Sequence, residues 1–519
     1  MTPKWTNERA TSLHKDETSS DIRTQYRTLA VVGLGYVGLP SAVYFAEAGF
    51  RVVGVDVKPE AIERIRNGTT HLPDLGMDER VRSLVKSGSL QATTDLAAAT
   101  KEADAIFIMV PTPLGADGEP DLSHIVNAGR EIGRNLRQGQ LVILESTVYP
   151  GVTEEVLLPQ LESGGLKAGR DFGLAYCPER YNPGDPEHTI EKTRRIVGGF
   201  TAEDAQAATT LYGCVTKAIV VNVGDIRTCE AAKVIENTQR DVNIALANEM
   251  ALMCEVLGLD VNEVLDAAAT KWNFVRYKPG PGVGGHCLPK DPHYLASVAE
   301  RAGYKSQIVT AARRLNDGMP GHVFDLVKQG LEHRGLSLAG ARVAVLGLAY
   351  KPNLGDTRLT PSLDLTQRLA AAGARVITVD PHVSAAEATK RFGAWTHTSA
   401  LDELPTDIDA VVLMVAHDAF QPLPFHTLIA RTRPGAVFVD GPRAVPFEAA
   451  REAGWMYLGV GAGRANREAR ARGSRSQPTA ASMEWLERAV RRLDEPAVRE
   501  DGDIQRLLQA LRQRLEHLS

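Results

Sequence analysis

Long apolar runs are missing from this chain of 519 residues. No stretch approaches the roughly 20 apolar residues that a bilayer-spanning helix needs. Residues 1–27 are polar and lack the apolar run of a secretory signal. Both absences point to a cytoplasmic protein. Cysteine is scarce too: Cys177, Cys214, Cys229, Cys254 and Cys287 are the whole complement. Five in so long a chain make no disulfide framework, and without a CxxC pair they suggest no zinc site. His286 and His293 flank Cys287 but do not complete a ligand set, so no metal is expected. Basic charge is not in excess. The formal net charge is −5, which argues against nucleic acid or an anionic membrane as partner.

The chain has the balance of a globular protein, with 43% hydrophobic and 24% charged residues. Its length suggests about three domains. Strand-like runs at Leu29–Gly33, Arg51–Asp56, Ala105–Val110 and Leu141–Ser146 alternate with helical segments, the signature of a parallel sheet covered on both faces. From Arg227 to Leu257 there is no Gly or Pro. Ala231, Val234, Ile235, Val242, Ala245, Leu246 and Met250 form an apolar stripe at helical spacing, which predicts one long helix. A second alternating pattern opens at Ala341, with strands expected at Arg375–Asp380, Ala410–Val415 and Ala436–Asp440. The predicted fold is α/β: two doubly wound Rossmann-like domains joined by a central helical domain with one long helix. The expected boundaries are a disordered tail at 1–27, domains at 28–224, 225–328 and 329–463, and a linker with an amphipathic C-terminal helix at 464–519. In that last segment Ile504, Leu507, Leu508, Leu511, Leu515 and Leu518 recur at helical spacing. They suit either docking on the protein's own surface or association with another chain.

The first strand runs into Gly33-Leu34-Gly35-Tyr36-Val37-Gly38, a GxGxxG motif with a strand before it and a helix after. Gly33 allows the tight turn, Gly35 lets the backbone approach a pyrophosphate, and Gly38 lets helix and strand pack closely. The helix N-terminus adds N–H groups and a positive dipole end. Asp56 lies at the end of the second strand-like run, placed to accept the ribose hydroxyls and repel a 2′-phosphate. The pattern points to NAD; a glycine turn without a nucleotide is the alternative.

Further motifs follow in a fixed order: VPTP (110–113), ESTVYPG (145–151), CPERYNPGD (177–185), AAKVIENTQRDVNIALANE (231–249), PGPGVGGHC (279–287) and LGLAYKPNLGDTR (346–358). Together with GLGYVGLP they resemble the UDP-glucose/GDP-mannose dehydrogenase family, from about Leu29 to Val460. The two tails lie outside the resemblance. KVIENTQRD, KWNF and GGHC followed by DPHYL are most similar to the branch that oxidises UDP-N-acetylhexosamines, UDP-N-acetylglucosamine first. Lys290 departs from that branch, since lysine at this position is typical of enzymes that act on UDP-glucose.

The resemblance implies a four-electron oxidation of the sugar C6 alcohol to a carboxylate. That needs two NAD⁺ in succession and a way to retain the aldehyde. Cys287 would supply it as a thiohemiacetal and then a thioester, a covalent route that divides a hard sequence into easier steps. The glycines before it, Gly282, Gly284 and Gly285, allow close approach of backbone to substrate, and a cation near the thiol, with Lys290 close in sequence, would favour thiolate. On spacing alone Lys233 and Asn237 share one helix face as a solvated lysine and an exposed asparagine. The resemblance makes them donors that handle the alcohol proton or the developing oxyanion. Glu179, which on its own reads as a salt-bridge partner of Arg180, would assist thioester hydrolysis through a water. Asp291 would orient Lys233 or that water, and Thr147 would contact the nicotinamide or the reacting water. Tyr36, Val37, Pro111, Thr112 and Thr147 are expected at the cofactor, with Arg358 at its diphosphate. Arg180, Arg276, Lys278, Gly284, Lys351 and Arg443 are expected at the UDP-sugar, together with Glu179, Lys233 and Asn237, in a cleft of the kind that favours ligands. A homodimer through the long helix is implied as well. The competing readings are a UDP-glucose 6-dehydrogenase, an ordinary two-electron dehydrogenase that has no need of Cys287, and an inactive nucleotide-sugar-binding protein.

Overall fold

A computed structural model describes residues 22–72, 76–115, 118–181, 187–393 and 395–472, with 509 and 512. It divides into two compact units. The first comprises the chain up to Thr238 together with Lys290–Ser306, and the second Gln239–Pro289 with the residues from Gln307 onward.

The first unit is built on strands β1 (Thr28–Val32), β2 (Arg51–Val55), β3 (Leu90–Thr93), β4 (Ala105–Ile108), β5 (Leu141–Leu144), β6 (Gly173–Tyr176), β7 (Arg195–Gly199) and β8 (Val220–Gly224). Among the described residues they form one sheet in the order β3-β2-β1-β4-β5-β6-β7-β8. All neighbours are parallel except β6 and β7, which run antiparallel. Every residue of β1, β4 and β5 is buried, as strands covered on both faces require. Side-chain alternation divides them between two cores. Leu29, Val31, Phe107 and Ile143 join one, and Ala30, Val32, Ile108 and Leu144 join the other.

The second unit repeats the plan with β9 (Arg342–Leu346), β10 (Arg375–Val379), β11 (Thr396–Thr398), β12 (Ile408–Leu413), β13 (Thr432–Asp440) and β14 (Met456–Gly459). Their order is β11-β10-β9-β12-β13-β14, and every pairing is parallel. Val343, Val345 and Val412 enter one core, and Ala344, Leu346 and Val411 the other. The long helix, Ile226–Leu257, begins in the first unit and ends in the second. Its predicted stripe is only partly buried: Val234 and Ala245 are inside, whereas Ile235 and Leu246 are exposed.

Two boundaries of the predicted organisation need correction. Residues 22–25 are helical, and Ile22 and Tyr26 are buried in the first core. Their i, i+4 spacing puts both on one helical face, so residues 22–26 belong to the first unit; residues 1–21 of the predicted tail lie outside the described residues. The predicted linker begins instead as a helix, Gly463–Arg472. Ala465 and Ala469 are buried, and the Asn466 carboxamide exchanges hydrogen bonds with the backbone N–H and carbonyl of Gly459 at 2.9 and 3.0 Å. The predicted C-terminal amphipathic helix falls outside the described residues apart from Gln509 and Arg512, both helical.

Candidate functional site

In the first unit β1 leads into the glycine turn, and helix Gly38–Glu47 leaves it. Gly33 has φ +96°, the left-handed region that glycine adopts without strain. A Cβ at Gly38 would lie 1.7 Å from the Gly33 carbonyl oxygen, whereas one at Gly35 would meet nothing within 4 Å. The third glycine is therefore required by packing, and the second borders open space. Asp56 stands immediately after β2. Its carboxylate accepts the Leu34 N–H at 2.9 Å and the Lys58 N–H at 3.0 Å, which fixes it beside the turn. The donor set fits a dinucleotide: open space at Gly35, a helix N-terminus, and a carboxylate just after the second strand. The Tyr36 carbonyl accepts a hydrogen bond from the Tyr181 hydroxyl.

VPTP and ESTVYPG follow β4 and β5, neighbours in the sheet. The Thr112 hydroxyl donates to the Thr147 carbonyl at 2.9 Å. Lys290 is buried, and its ammonium donates to the Thr112 carbonyl at 2.8 Å and to its hydroxyl at 3.1 Å. The Tyr294 hydroxyl donates to the same carbonyl. Lys290 is therefore a brace for the VPTP turn. Glu230, buried near the start of the long helix, accepts from Gly151 N–H at 2.6 Å and from the Thr153 N–H and hydroxyl at 2.9 and 2.6 Å. It holds the far end of the ESTVYPG turn.

Lys233 and Asn237 lie one turn apart on the long helix, but neither is the solvated group that spacing alone suggests. Lys233 is buried, and Asn237 donates from Nδ2 to Asp291 Oδ2 at 2.5 Å. Asp291 is fully buried. Burial pushes its pKa above the usual carboxylate range, against the pull of Lys290, Lys233 and the Asn237 hydrogen bond. A buried ammonium, a carboxamide and a carboxyl group thus gather on one helix face.

Glu179 does not pair with Arg180. Its Oε1 accepts the backbone N–H groups of Arg180 and Tyr181, each at 2.7 Å, and its Oε2 accepts Arg195 Nη2 at 2.6 Å. Arg180 instead binds Glu236 and the Arg194 carbonyl. Sequence reading passed over Arg195, although a charged residue opening a strand with buried neighbours is a visible signal.

In the second unit the PGPGVGGHC loop packs on the loop that follows β9. A Cβ at Gly284 would lie 2.7 Å from the Leu359 carbonyl oxygen and 2.9 Å from Tyr350 Cβ, and one at Gly285 would lie 2.8 Å from the Tyr350 ring. The start of the glycine loop is tied down as well. Asn248 accepts the Gly280 N–H at 2.9 Å and donates to Asn316 at 2.9 Å, and Asn316 donates to Asp241 at 2.8 Å. Cys287 follows, exposed and in no disulfide. Arg358 binds Asp356 through Nε at 2.8 and 3.0 Å and meets His286 Nε2 at 2.9 Å. Despite burial, Arg358 holds the Asp356 carboxyl below its usual range. The Lys351 ammonium lies 5.9 Å from the Tyr350 ring centroid, and Lys278 is exposed. This unit therefore brings Cys287 together with the loop that carries Lys351 and Arg358.

Two expected sugar-binding arginines are engaged elsewhere. Arg443 is partly buried, with Nη2 on Asp260 at 2.6 Å and Nη1 on the Val460 carbonyl at 3.2 Å. Arg276 binds Asp266 at 2.7 Å. Among the described residues no group of three or more His, Cys, Asp or Glu side chains is placed to hold a metal ion.

Comparison with known proteins matches three family models in succession. Residues 27–216 match the NAD binding domain of the UDP-glucose/GDP-mannose dehydrogenase family, 227–318 its central domain, and 344–446 its UDP binding domain. The chain is 41% identical over 394 residues to a UDP-N-acetyl-D-glucosamine 6-dehydrogenase of Pseudomonas aeruginosa, covering 76% of this chain and 91% of the relative. A solved UDP-D-ManNAc dehydrogenase from Pyrococcus horikoshii is similar with a TM-score of 0.77 and 35% identity, over 84% of this chain and 100% of that one. A UDP-glucose dehydrogenase from Pyrobaculum islandicum is similar with a TM-score of 0.75 and 32% identity, over 84% and 98%. With its glycine turn, its second doubly wound unit and these matches across all three parts, the chain belongs to the UDP-glucose/GDP-mannose dehydrogenase family of NAD-dependent oxidoreductases.

Proposed function

We propose that this protein oxidises the C6 hydroxymethyl group of a UDP-N-acetylhexosamine, UDP-N-acetylglucosamine first, to a uronic acid through a covalent adduct on Cys287. The observation that carries this reading is a buried Lys233 whose charge acts on the buried Asp291, which also accepts a hydrogen bond from Asn237 one helix turn on. An ordinary solvated helix face would not bury an ammonium beside a carboxyl group. The identity to a UDP-N-acetyl-D-glucosamine 6-dehydrogenase over most of both chains supports the sugar.

Bound NAD⁺ supplies the hydride acceptor at each oxidation. The remaining work falls to the chain's own residues. Lys233 and Asn237 handle the proton of the C6 alcohol and stabilise the oxyanion that develops there. Asp291, its pKa raised by burial, orients them. The Cys287 sulfur bonds to the aldehyde carbon, so the intermediate cannot escape. Loss of the second hydride from C6 leaves a thioester. Water then attacks, the C6–sulfur bond breaks, and Glu179 accepts the proton of the water. Lys351 and Lys278 contact the UDP-sugar, and Arg358 adds a guanidinium suited to a diphosphate. Thr112 and Thr147 line the nicotinamide side.

A homodimer belongs to the same reading. Leu246, Met253, Val256 and Leu257 are exposed on the later half of the long helix, and Trp272 is 91% exposed. Apolar surface gathered in this way marks an association face. A cytoplasmic location is supported by five cysteines that form no disulfide; among the described residues, no helix is long and apolar enough to cross a membrane.

Substituting Cys287→Ser tests the covalent step. The variant is expected to bind NAD⁺ and UDP-sugar normally and to make no uronic acid. Undiminished acid formation would sink the mechanism.

A further inference from the structure

Behind Glu179 lies a buried charged cluster that the reaction as proposed does not use. Arg195 opens β7 and is 2% exposed. Its Nη2 donates to Glu179 Oε2 at 2.6 Å, and its Nη1 faces Glu145 Oε2 at 3.3 Å and Cys177 Sγ at 3.8 Å. Tyr212 donates its hydroxyl to Glu145 Oε1 at 2.6 Å, and its ring lies under the guanidinium, 4.8 Å from centroid to Cζ. Glu145 is fully buried. One guanidinium thus stands between two carboxyl groups, away from water.

Such a cluster is a poor means of stabilising a fold. Burying ionisable groups away from water is costly, and an apolar replacement of equal volume is often neutral or better. What the arrangement does provide is orientation. Both oxygens of Glu179 are occupied by donors of fixed direction: two backbone N–H groups on one, Arg195 on the other. The topology explains how Arg195 reaches it. Strands β6 and β7 pair antiparallel, with Tyr176 opposite Gly198. Extending that register three residues past Tyr176 brings Glu179 opposite Arg195. The antiparallel step in an otherwise parallel sheet places the guanidinium behind the carboxylate.

We infer that Arg195 is a positioning residue for Glu179 in thioester hydrolysis, held in place from its other side by Glu145 and Tyr212. This rests on the assignment of Glu179 as the group that takes the proton of the water. In that step the water oxygen bonds to C6, the C6–sulfur bond breaks, the sulfur leaves as thiolate, and the proton passes to Glu179. The two earlier oxidations make no use of Arg195.

The test follows the Cys287 adduct by intact-protein mass in a single turnover with NAD⁺ and UDP-N-acetylglucosamine, while NADH is read by absorbance. Glu179→Gln is expected to slow decay of the adduct about 100-fold, the scale of a general base. Arg195→Lys is expected to slow it about 10-fold through misplacement of the carboxylate, with NADH formation before hydrolysis unchanged. Should Glu179→Gln leave decay untouched, the assignment of Glu179 falls first. Should Glu179→Gln act but Arg195→Lys decay like wild type, or slow NADH formation and decay equally, the positioning role alone is overturned. If Arg195→Lys does not fold, Tyr212→Phe retains the guanidinium and removes one hydroxyl. It is expected to slow decay about 3-fold, the worth of one hydrogen bond, and decay at the wild-type rate would overturn the inference.

Discussion

Two glycines of one motif are expected to fail in different ways when each receives a methyl group. At Gly38 the added Cβ would lie 1.7 Å from the Gly33 carbonyl oxygen. An ordinary carbon–oxygen contact is about 3.3 Å, so helix and turn must part by about 1.6 Å. Overpacking of that kind costs about 1–3 kcal/mol, which lowers Tm by about 2–12 °C at about 2–4 °C per kcal/mol for a domain of this size. At Gly35 a Cβ meets nothing within 4 Å, and its φ is not among the positive values. Gly35→Ala is therefore expected to keep Tm within about 2 °C of wild type, since Ala also restricts the unfolded chain. The methyl instead enters the space of the cofactor diphosphate, weakening NAD⁺ binding at least about 10-fold, or about 1.4 kcal/mol. UDP affinity should not change in either folded variant. The assay is thermal unfolding without ligand, together with titration by NAD⁺ and by UDP. If Gly35→Ala bound NAD⁺ normally, the turn would not be the diphosphate seat. If it lost as much Tm as Gly38→Ala, the distinction drawn from the geometry would be wrong.

Other consequences can be checked as directly. Burial raises the Glu145 pKa to about 7, with Arg195 and Tyr212 opposing and Glu179 adding to the rise. The fold therefore favours the neutral form. The resulting stabilisation is fully present below the unfolded value near 4.5 and is lost as pH rises through about 7. Glu145→Gln should lack that decline, so its Tm relative to wild type should climb between pH 5 and 8; parallel curves would refute the shift. Lys290→Met should leave the sugar preference unchanged and destabilise the protein by about 1.5–3 kcal/mol through loss of its hydrogen bonds to Thr112. A switch of preference between UDP-glucose and UDP-N-acetylglucosamine would make Lys290 a sugar-reading residue instead. Leu257→Glu, at a residue 65% exposed, should convert a dimer to a monomer by light scattering with Tm lowered. An unaltered dimer would place the interface elsewhere.

Local patterns in this chain were legible and long-range pairings were not. Strands such as β4 and β5 stand out because burial on both faces demands unbroken apolar runs. The glycine turn stands out because each glycine answers a steric demand within a few residues. Lys233 and Asn237 could be put on one helix face by spacing, but that Lys233 is buried and Asn237 meets Asp291, 54 positions away, is decided by tertiary packing. Arg195 escaped notice for the same reason. Its partners follow β5 and β6, and only the sheet order with its one antiparallel step joins them. Arg443 was expected at the UDP-sugar and Lys290 near the thiol, and spacing could not show the partners each has in its own unit. The segment from 464 to 472 was expected to be linker. What makes it a helix is the docking of Ala465, Asn466 and Ala469, which composition does not display.

The most direct test of the account is to count NADH formed per sugar consumed when purified protein meets NAD⁺ and, in separate reactions, UDP-N-acetylglucosamine, UDP-N-acetylgalactosamine, UDP-N-acetylmannosamine and UDP-glucose. The account predicts two NADH and one uronic acid per UDP-N-acetylglucosamine. A single NADH per sugar would contradict the four-electron route, and two NADH with UDP-glucose alone would contradict the assignment of the sugar.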